Sequence, residues 1–378
     1  MASNFVLEQI KRMKNRFDKI YVLASIPYLP KVAKFIPFLS YANRQDAFAK
    51  NYSFDNVEVF FIRHIPPISD TLRLRIGWEI AKKALKIIKK KKIEFDLIHA
   101  HFAYPSGFAG AIIKRLFRKP LITSAYGYDL HDLPFRNYKW KKIISWVLRN
   151  SDHIIVAGEA LLEIAKNFGV ENSRISVIYN SYNEKIFKPI PKKHAREILG
   201  LPKDQKIIIA IGRLVPVKGH RYLIQAAKIL TEKNPDIKIY IVGGGKLIYA
   251  LSMLISKLNL QNKVFLVGSR PHTEIPLWIN AADLIALPSL NEGCPVVILE
   301  SMACGKPVVC SAVGCLPYII NDKVGILVES KNYIQLANAL EEGLNRSWDY
   351  NYIREYSRRF SWKHSISRIL DIYRSITH

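Results

Sequence analysis

Residues 283–315, DLIALPSLNEGCPVVILESMACGKPVVCSAVGC, constrain the fold more than any other stretch of the chain. An apolar run of strand length, 283–288, meets a polar turn at 289–293. Pro295 then opens a segment with apolar residues at Val296, Val297, Leu299 and Met302, which ends at Gly305. Proline in the first helical turn and glycine just past the last is the usual asymmetry of an α-helix. A second apolar run, 307–310, follows at once. Strand, loop, helix, strand predicts a compact βαβ unit whose ligand-facing loops leave the carboxyl ends of the strands.

Two carboxylates lie in this unit, Glu292 in the loop and Glu300 in the helix, with seven residues between them. At about 1.5 Å of rise per residue, Glu300 lies more than one turn inside the helix. The backbone N–H groups of Gly293, Cys294 and Val296 lie near the helix start and are free to bind an anion. One loop thus offers a carboxylate, an anion-binding helix end and a second carboxylate. That suits a ligand with hydroxyls, a phosphate and more hydroxyls, such as a nucleotide sugar. Two solvated glutamates is the plainer reading of such a pair. The apolar neighbours of Glu300 and the Gly- and Pro-containing loop weigh against it.

A chain of 378 residues is too long for one ordinary core. Strands are expected at 20–26, 57–65, 96–102, 120–126 and 153–158, with helices at 5–17, 107–117 and 139–149 between them. Residues 27–56 read as irregular, and 175–192 as a strand, a turn and a Pro-containing linker. A second series starts with a strand at 206–214 and a helix at 219–233, followed by strands at 237–244 and 263–268. After 326–328, two helices are expected to close the chain. Such alternation predicts doubly wound parallel sheets in an α/β protein of two domains, 1–187 and 188–361.

The formal charge of +26 calls for an anionic partner. Lys82, Lys83, Lys86 and Lys89 to Lys92 alternate with Ile76, Trp78, Ile80, Leu85, Ile87 and Ile88, which predicts a basic amphipathic helix. It reads either as the solvated face of a core-packed helix or as a dock for an anionic membrane. Nucleic acid is not expected as a partner, since no zinc finger, RNA-recognition signature or long basic tail is present. The four cysteines, Cys294, Cys304, Cys310 and Cys315, lack metal-ligand spacing and read as buried thiols in a reducing compartment. No apolar run reaches the roughly 20 residues of a membrane span. The first fifteen residues hold no signal-peptide apolar region. A cytoplasmic location is expected.

LPSLNEGCP and ESMACGKPVV resemble the Glu-x7-Glu signature of the retaining glycosyltransferases of family 4, which have the GT-B fold. A second element, IGRLVPVKGH at 211–220, is similar to that family's Gly-Arg-Leu…Lys-Gly loop. The resemblance implies two Rossmann-like domains facing across a cleft, with the terminal helix, 362–378, packed back on the first. It implies that Gly212, Arg213 and Lys218 hold the diphosphate of a nucleoside-diphosphate sugar, where fixed cations meet the charge that develops as the glycosidic bond breaks. Gly244 would let the backbone approach the sugar or phosphate, and Arg270 would stand near the nucleobase. Glu300 would bind the ribose. Glu292 would contact the transferred sugar as a positioning group, with Gly293, Cys294, Pro295 and Val296 around it. On the first domain, 99–110 and 124–134 resemble acceptor-side loops. His101 is there the candidate catalytic residue, with Tyr126 and Asp129 beside it. Many relatives carry His where this chain has Tyr126. No Asp-x-Asp motif occurs, so no metal and no cofactor are expected. The strand and glycine loop that open similar enzymes have no counterpart before residue 5: either the chain starts late, or the first domain lacks one strand and one wall of the cleft. The expected activity is sugar transfer to a glycan or lipid-linked acceptor in cell-surface polysaccharide or glycolipid assembly. The alternative is a nucleotide-sugar-binding protein with little turnover.

Overall fold

The computed structural model describes residues 4–28, 50–67 and 69–377. Thirteen strands are present among them: β1 (Ile20–Pro27), β2 (Tyr52–Phe54), β3 (Val57–His64), β4 (Ile98–His101), β5 (Leu121–Ala125), β6 (His153–Val156), β7 (Ile175–Val177), β8 (Lys206–Ile211), β9 (Ile237–Val242), β10 (Val264–Gly268), β11 (Leu284–Leu287), β12 (Val308–Ser311) and β13 (Gly325–Val328). The chain divides into two compact units. The first takes in the described residues up to Ala157, Leu161–Ile178 and the C-terminal helix from Ile366 onward. The second is Gly158–Ala160 with Tyr179–Ser365. The division falls at 178/179, nine residues before the boundary read from the sequence.

In the second unit all six strands are parallel, in the order β10-β9-β8-β11-β12-β13. Their sequences, KIIIAI and IKIYIV among them, are apolar on both faces because helices cover both sides. Ile208, Ala210, Ile239, Ile241, Leu284 and Ala286 meet Leu223, Ala227 and Leu340 in one core. From β8 the chain winds outward through β9 and β10, then returns to β8's other side at β11. The order reverses between β8 and β11, and ligands of such sheets bind at that switch point, beyond the carboxyl ends of the strands. The start of β11 is pinned to β8 by Asp283. Its carboxylate accepts from the Ile207 N–H at 2.8 Å and from buried Arg196 at 2.7 Å. Arg196 lies on helix Lys192–Leu199, between the linker read at 175–192 and the strand read from 206, where no element was expected.

The first unit departs from a single doubly wound sheet. It holds a three-stranded sheet, β1-β3-β2, and a four-stranded parallel sheet, β4-β5-β6-β7, with no ladder between β1 and β4 among the described residues. β2 is antiparallel to β3 and falls inside the stretch read as irregular, of which residues 29–49 lie outside the described ones. Helix Asp70–Lys91 covers β3. Ile76, Ile80, Ala84 and Ile88 pack there with Phe60, Ile62 and Ile113. The end of the chain holds three helices, Tyr333–Asn345, Tyr350–Ser357 and Trp362–Thr377, where two were expected. The four cysteines are free and buried. Among the described residues no helix is long and apolar enough to cross a membrane.

Candidate functional site

The loops after β8 and β11 lie at the switch point of the second unit, with the loop after β9 beside them. They are knitted together by their own backbones. Leu290 N–H donates to Val217 O at 2.7 Å, and Leu214 N–H donates to Gly244 O at 2.9 Å. Gly219 has φ +64, and a Cβ there would stand 1.9 Å from Pro288 O, so only glycine lets these loops approach. Gly314 has the same requirement, since its Cβ would meet Glu292 O at 2.2 Å.

The sequence-derived residues converge here. Lys218 Nζ donates to Glu292 Oε1 at 2.5 Å, and Ser289 Oγ donates to the same oxygen at 2.7 Å. Both side chains of the ion pair are mostly covered, so the pair fixes the loop rather than floating in solvent. Gly212 faces the Lys218 stem, with Lys218 Cδ 3.7 Å from where its Cβ would lie. Arg213 is exposed on the same loop. Its carbonyl accepts from the Val215 N–H at 2.9 Å, and its guanidinium makes no hydrogen bond or ion pair among the described residues. Gly244 lies close against Ser269, which leads into Arg270. Arg270 itself is turned to Glu274, at 3.6 Å.

Gly293 and Cys294 are held by their carbonyls: Cys315 N–H donates to Gly293 O at 2.9 Å and Asn180 Nδ2 to Cys294 O at 2.7 Å. Pro295 stands in extended conformation just before helix Val296–Ala303. That helix carries Glu300 into the unit, where it is 5% exposed. Burial pushes its carboxyl up to about 8, against an ordinary 4.5. The exposed His272 stands across from it, with Nε2 3.8 Å from Glu300 Oε1, and its ring meets Phe187 at 5.3 Å. Ser289, His272 and Asn180 were not singled out from the sequence. Ser289 had a signal, since it is three residues before Glu292 on one turn. Asn180 is 114 positions from its partner and had none.

On the first unit, β4 and β5 place a half-buried cluster at their carboxyl ends. The rings of His99 and His101 stack at 4.3 Å. His99 bonds Ser124 Oγ at 2.7 Å and the Tyr373 hydroxyl of the C-terminal helix. His101 Nδ1 bonds the Tyr126 hydroxyl at 2.6 Å, and no hydrogen bond to its Nε2 is present among the described residues. Burial lowers the His101 pKa to about 4 and that of His99 well below its usual value, so both rings are neutral at pH 7. Burial raises Tyr126, which keeps its proton. Asp129 is also buried. Its carboxylate accepts from the N–H groups of Ala103 at 2.8 Å and of Tyr126 and Gly127 at 3.1 Å each. Both oxygens are thus engaged in fastening the loops after β4 and β5 to each other.

Two α/β units of this topology, with ligand loops at strand ends, define the GT-B architecture. The Anabaena protein HepE, solved in complex with UDP, superposes with a TM-score of 0.75 at 22% identity, covering 99% of this chain and 96% of that one. Residues 4–185 match the model of Glycosyltransferase Family 4, and residues 191–360 that of Glycosyl transferases group 1. The chain belongs to these glycosyltransferases. It is 29% identical over 339 residues to an uncharacterized glycosyltransferase of Methanocaldococcus jannaschii, covering 88% of each chain. It is 27% identical over 313 residues to the D-inositol 3-phosphate glycosyltransferase of Corynebacterium glutamicum, covering 76% of this chain and 74% of the other.

Proposed function

We propose that this glycosyltransferase moves a sugar from a nucleoside-diphosphate sugar to a glycan or lipid-linked acceptor with retention of anomeric configuration. The observation that carries this reading is the Lys218–Glu292 ion pair at the β8/β11 switch point, with Glu300 on the helix that follows β11. The spacing supports one donor lying along the loops. Glu300 takes the ribose, Arg213 and Lys218 take the diphosphate, and Glu292 takes sugar hydroxyls. The N–H groups at the start of helix Val296–Ala303 add a fixed positive end for the phosphates.

In the proposed step the bond between the sugar's anomeric carbon and the diphosphate oxygen breaks, and the acceptor oxygen bonds to that carbon on the same face. The acceptor's proton passes to the departing phosphate oxygen. Charge on the leaving group is met by Arg213 and Lys218 rather than by a metal, which is electrostatic stabilisation by groups already in place. Glu292, itself tied by Lys218 and Ser289, orients the sugar and stabilises the positive charge that develops on it. His101 is neutral and offers Nε2 as a hydrogen-bonding group to substrate.

We place the reaction in cell-surface polysaccharide or glycolipid assembly, at the cytoplasmic face of a membrane. The net charge of +26 supports this setting. The test is turnover with UDP-, GDP- and ADP-sugars and a simple alcohol acceptor, with the product's anomeric configuration read by NMR. An inverted product would sink the proposed mechanism. The absence of transfer with every donor would sink the reading itself.

A further inference from the structure

The apolar face of helix Asp70–Lys91 is committed to the core through Ile76, Ile80, Ala84 and Ile88, so it cannot also lie in a bilayer. What the helix shows to solvent is a different stripe. Leu72, Arg75, Trp78, Lys82, Lys86 and Lys89 recur at spacings of three and four, and all are exposed. Beside the start of this helix sits the segment that follows the acceptor-side loop. Arg136 pairs with Asp70 at 3.0 Å, Arg73 donates to the Tyr128 hydroxyl at 3.0 Å, and the Arg136 guanidinium lies 5.4 Å from the Tyr128 ring centre. Trp78 is 54% exposed on the helix, and Phe135 is 67% and Tyr138 70% exposed on the segment joined to its start.

Isolated exposed rings are ordinary. These three belong to a surface whose acids are already spent. Asp70 and Asp132 are paired with Arg136, and Glu79 with Lys83. On the same two segments Arg75, Lys82, Lys139, Lys141 and Lys142 are exposed, and no carboxylate pairing is present for any of them among the described residues. Lys142 Nζ lies 5.1 Å from the Tyr138 ring centre. Amphipathic rings among unpaired cations match the headgroup layer of an anionic bilayer, where rings settle at the interface and each cation adds to the attraction.

We propose that the face formed by Trp78, Phe135, Tyr138 and the surrounding lysines docks on an anionic lipid bilayer. The proposal rests on the transferase reading and narrows it. The acceptor-side loop at Tyr126–Asp129 runs directly into this face, so the acceptor it receives is one presented at the bilayer edge, a lipid-linked one. Among the two acceptor classes of the proposed function, the surface selects the second.

The test uses the full chain and vesicles of phosphatidylcholine, with and without phosphatidylglycerol, in a sedimentation assay at 0.1 M salt. Wild type should pellet only with phosphatidylglycerol. The double variant Phe135→Ser/Tyr138→Ser, which leaves the charge unchanged, should bind about tenfold more weakly. In Lys139→Glu/Lys141→Glu/Lys142→Glu each lost cation should cost about fivefold or more, the scale of about 1 kcal/mol per charge near such a surface. Arg115→Glu/Arg118→Glu, at exposed cations at the end of helix Phe108–Phe117, should stay within about twofold per charge. A melting temperature for each variant checks that it has folded. The idea is overturned if wild type ignores phosphatidylglycerol. It is equally overturned if the Arg115/Arg118 variant alone loses binding, or if the chain binds a soluble acidic polysaccharide but no vesicle. UDP binding by calorimetry, read on the same samples, reports on the donor reading separately. Vesicle binding without nucleotide binding would leave this surface standing and remove the transferase mechanism.

Discussion

Replacing Glu300 with Gln should stabilise the protein, and more so at pH 8 than at pH 5. Burial raises the Glu300 pKa from 4.5 to about 8. Because the folded value is above the unfolded one, the folded chain holds the proton more tightly. Stability from this group is complete below about pH 4.5 and is lost as pH rises through 8. At about 1.4 kcal/mol per pKa unit, the carboxyl costs about 1 kcal/mol at pH 5 and about 4 kcal/mol at pH 8. Glutamine keeps the shape and never ionises, so it escapes the difference of about 3 kcal/mol. For a unit of this size that is about 6–12 °C in melting temperature. Thermal melts of wild type and Glu300→Gln at the two pH values provide the check. The gap between the proteins should widen by that amount at pH 8. An equal gap at both values would show that Glu300 is ionised at little cost in the folded chain, and the reasoning from its burial would fail. The same group links to ligand binding. Ribose hydroxyls donating to the carboxylate favour its ionised form, so the gain in UDP affinity as pH rises from 6 to 8, part of which comes from the terminal phosphate's own ionisation, should be larger in wild type than in the Gln variant.

Lys218→Ala should weaken nucleoside-diphosphate binding by about 100-fold or more. It removes a phosphate cation and leaves the mostly buried Glu292 with Ser289 alone; calorimetry measures it. Gly314→Ala forces a Cβ to within 2.2 Å of Glu292 O in a left-handed backbone, so it should cost about 1–3 kcal/mol in a denaturant titration and lower kcat/KM. Tyr126→Phe takes away the hydroxyl that holds His101 Nδ1 and should lower turnover about tenfold with little change in donor KM. The His101 pKa of about 4 also means that the wild-type pH–rate profile should show no His101 inflection near 6.5.

The second unit was legible because its information is local. Apolar runs such as KIIIAI and VVCS mark buried parallel strands, and Pro295 and Gly305 bracket a helix that the structure has at Val296–Ala303. The switch point follows from strand order, which periodicity does not reveal. The residues that support the loops were hidden for the same reason. Asn180, Ser289 and Gly314 act through carbonyls or carboxylates of other segments, and no spacing announces such bonds. In the first unit, the alternation of strands and helices could not show that β1 and β4 lie in separate sheets. Asp129 shows the reverse difficulty. A carboxylate in a functional-looking loop reads as chemistry, whereas three backbone N–H groups occupy both its oxygens. The basic helix was read two ways, and the burial of Ile76, Ile80 and Ile88 settles that its apolar face belongs to the core.

The most direct test of the central claim is calorimetric titration of UDP, GDP and ADP into wild type and Lys218→Ala. The account expects one of the three to bind wild type in preference to the others, and that binding to weaken by about 100-fold or more in the variant. No binding of any nucleotide, or binding that Lys218→Ala leaves unchanged, would contradict the assignment of the β8 and β11 loops as the donor site.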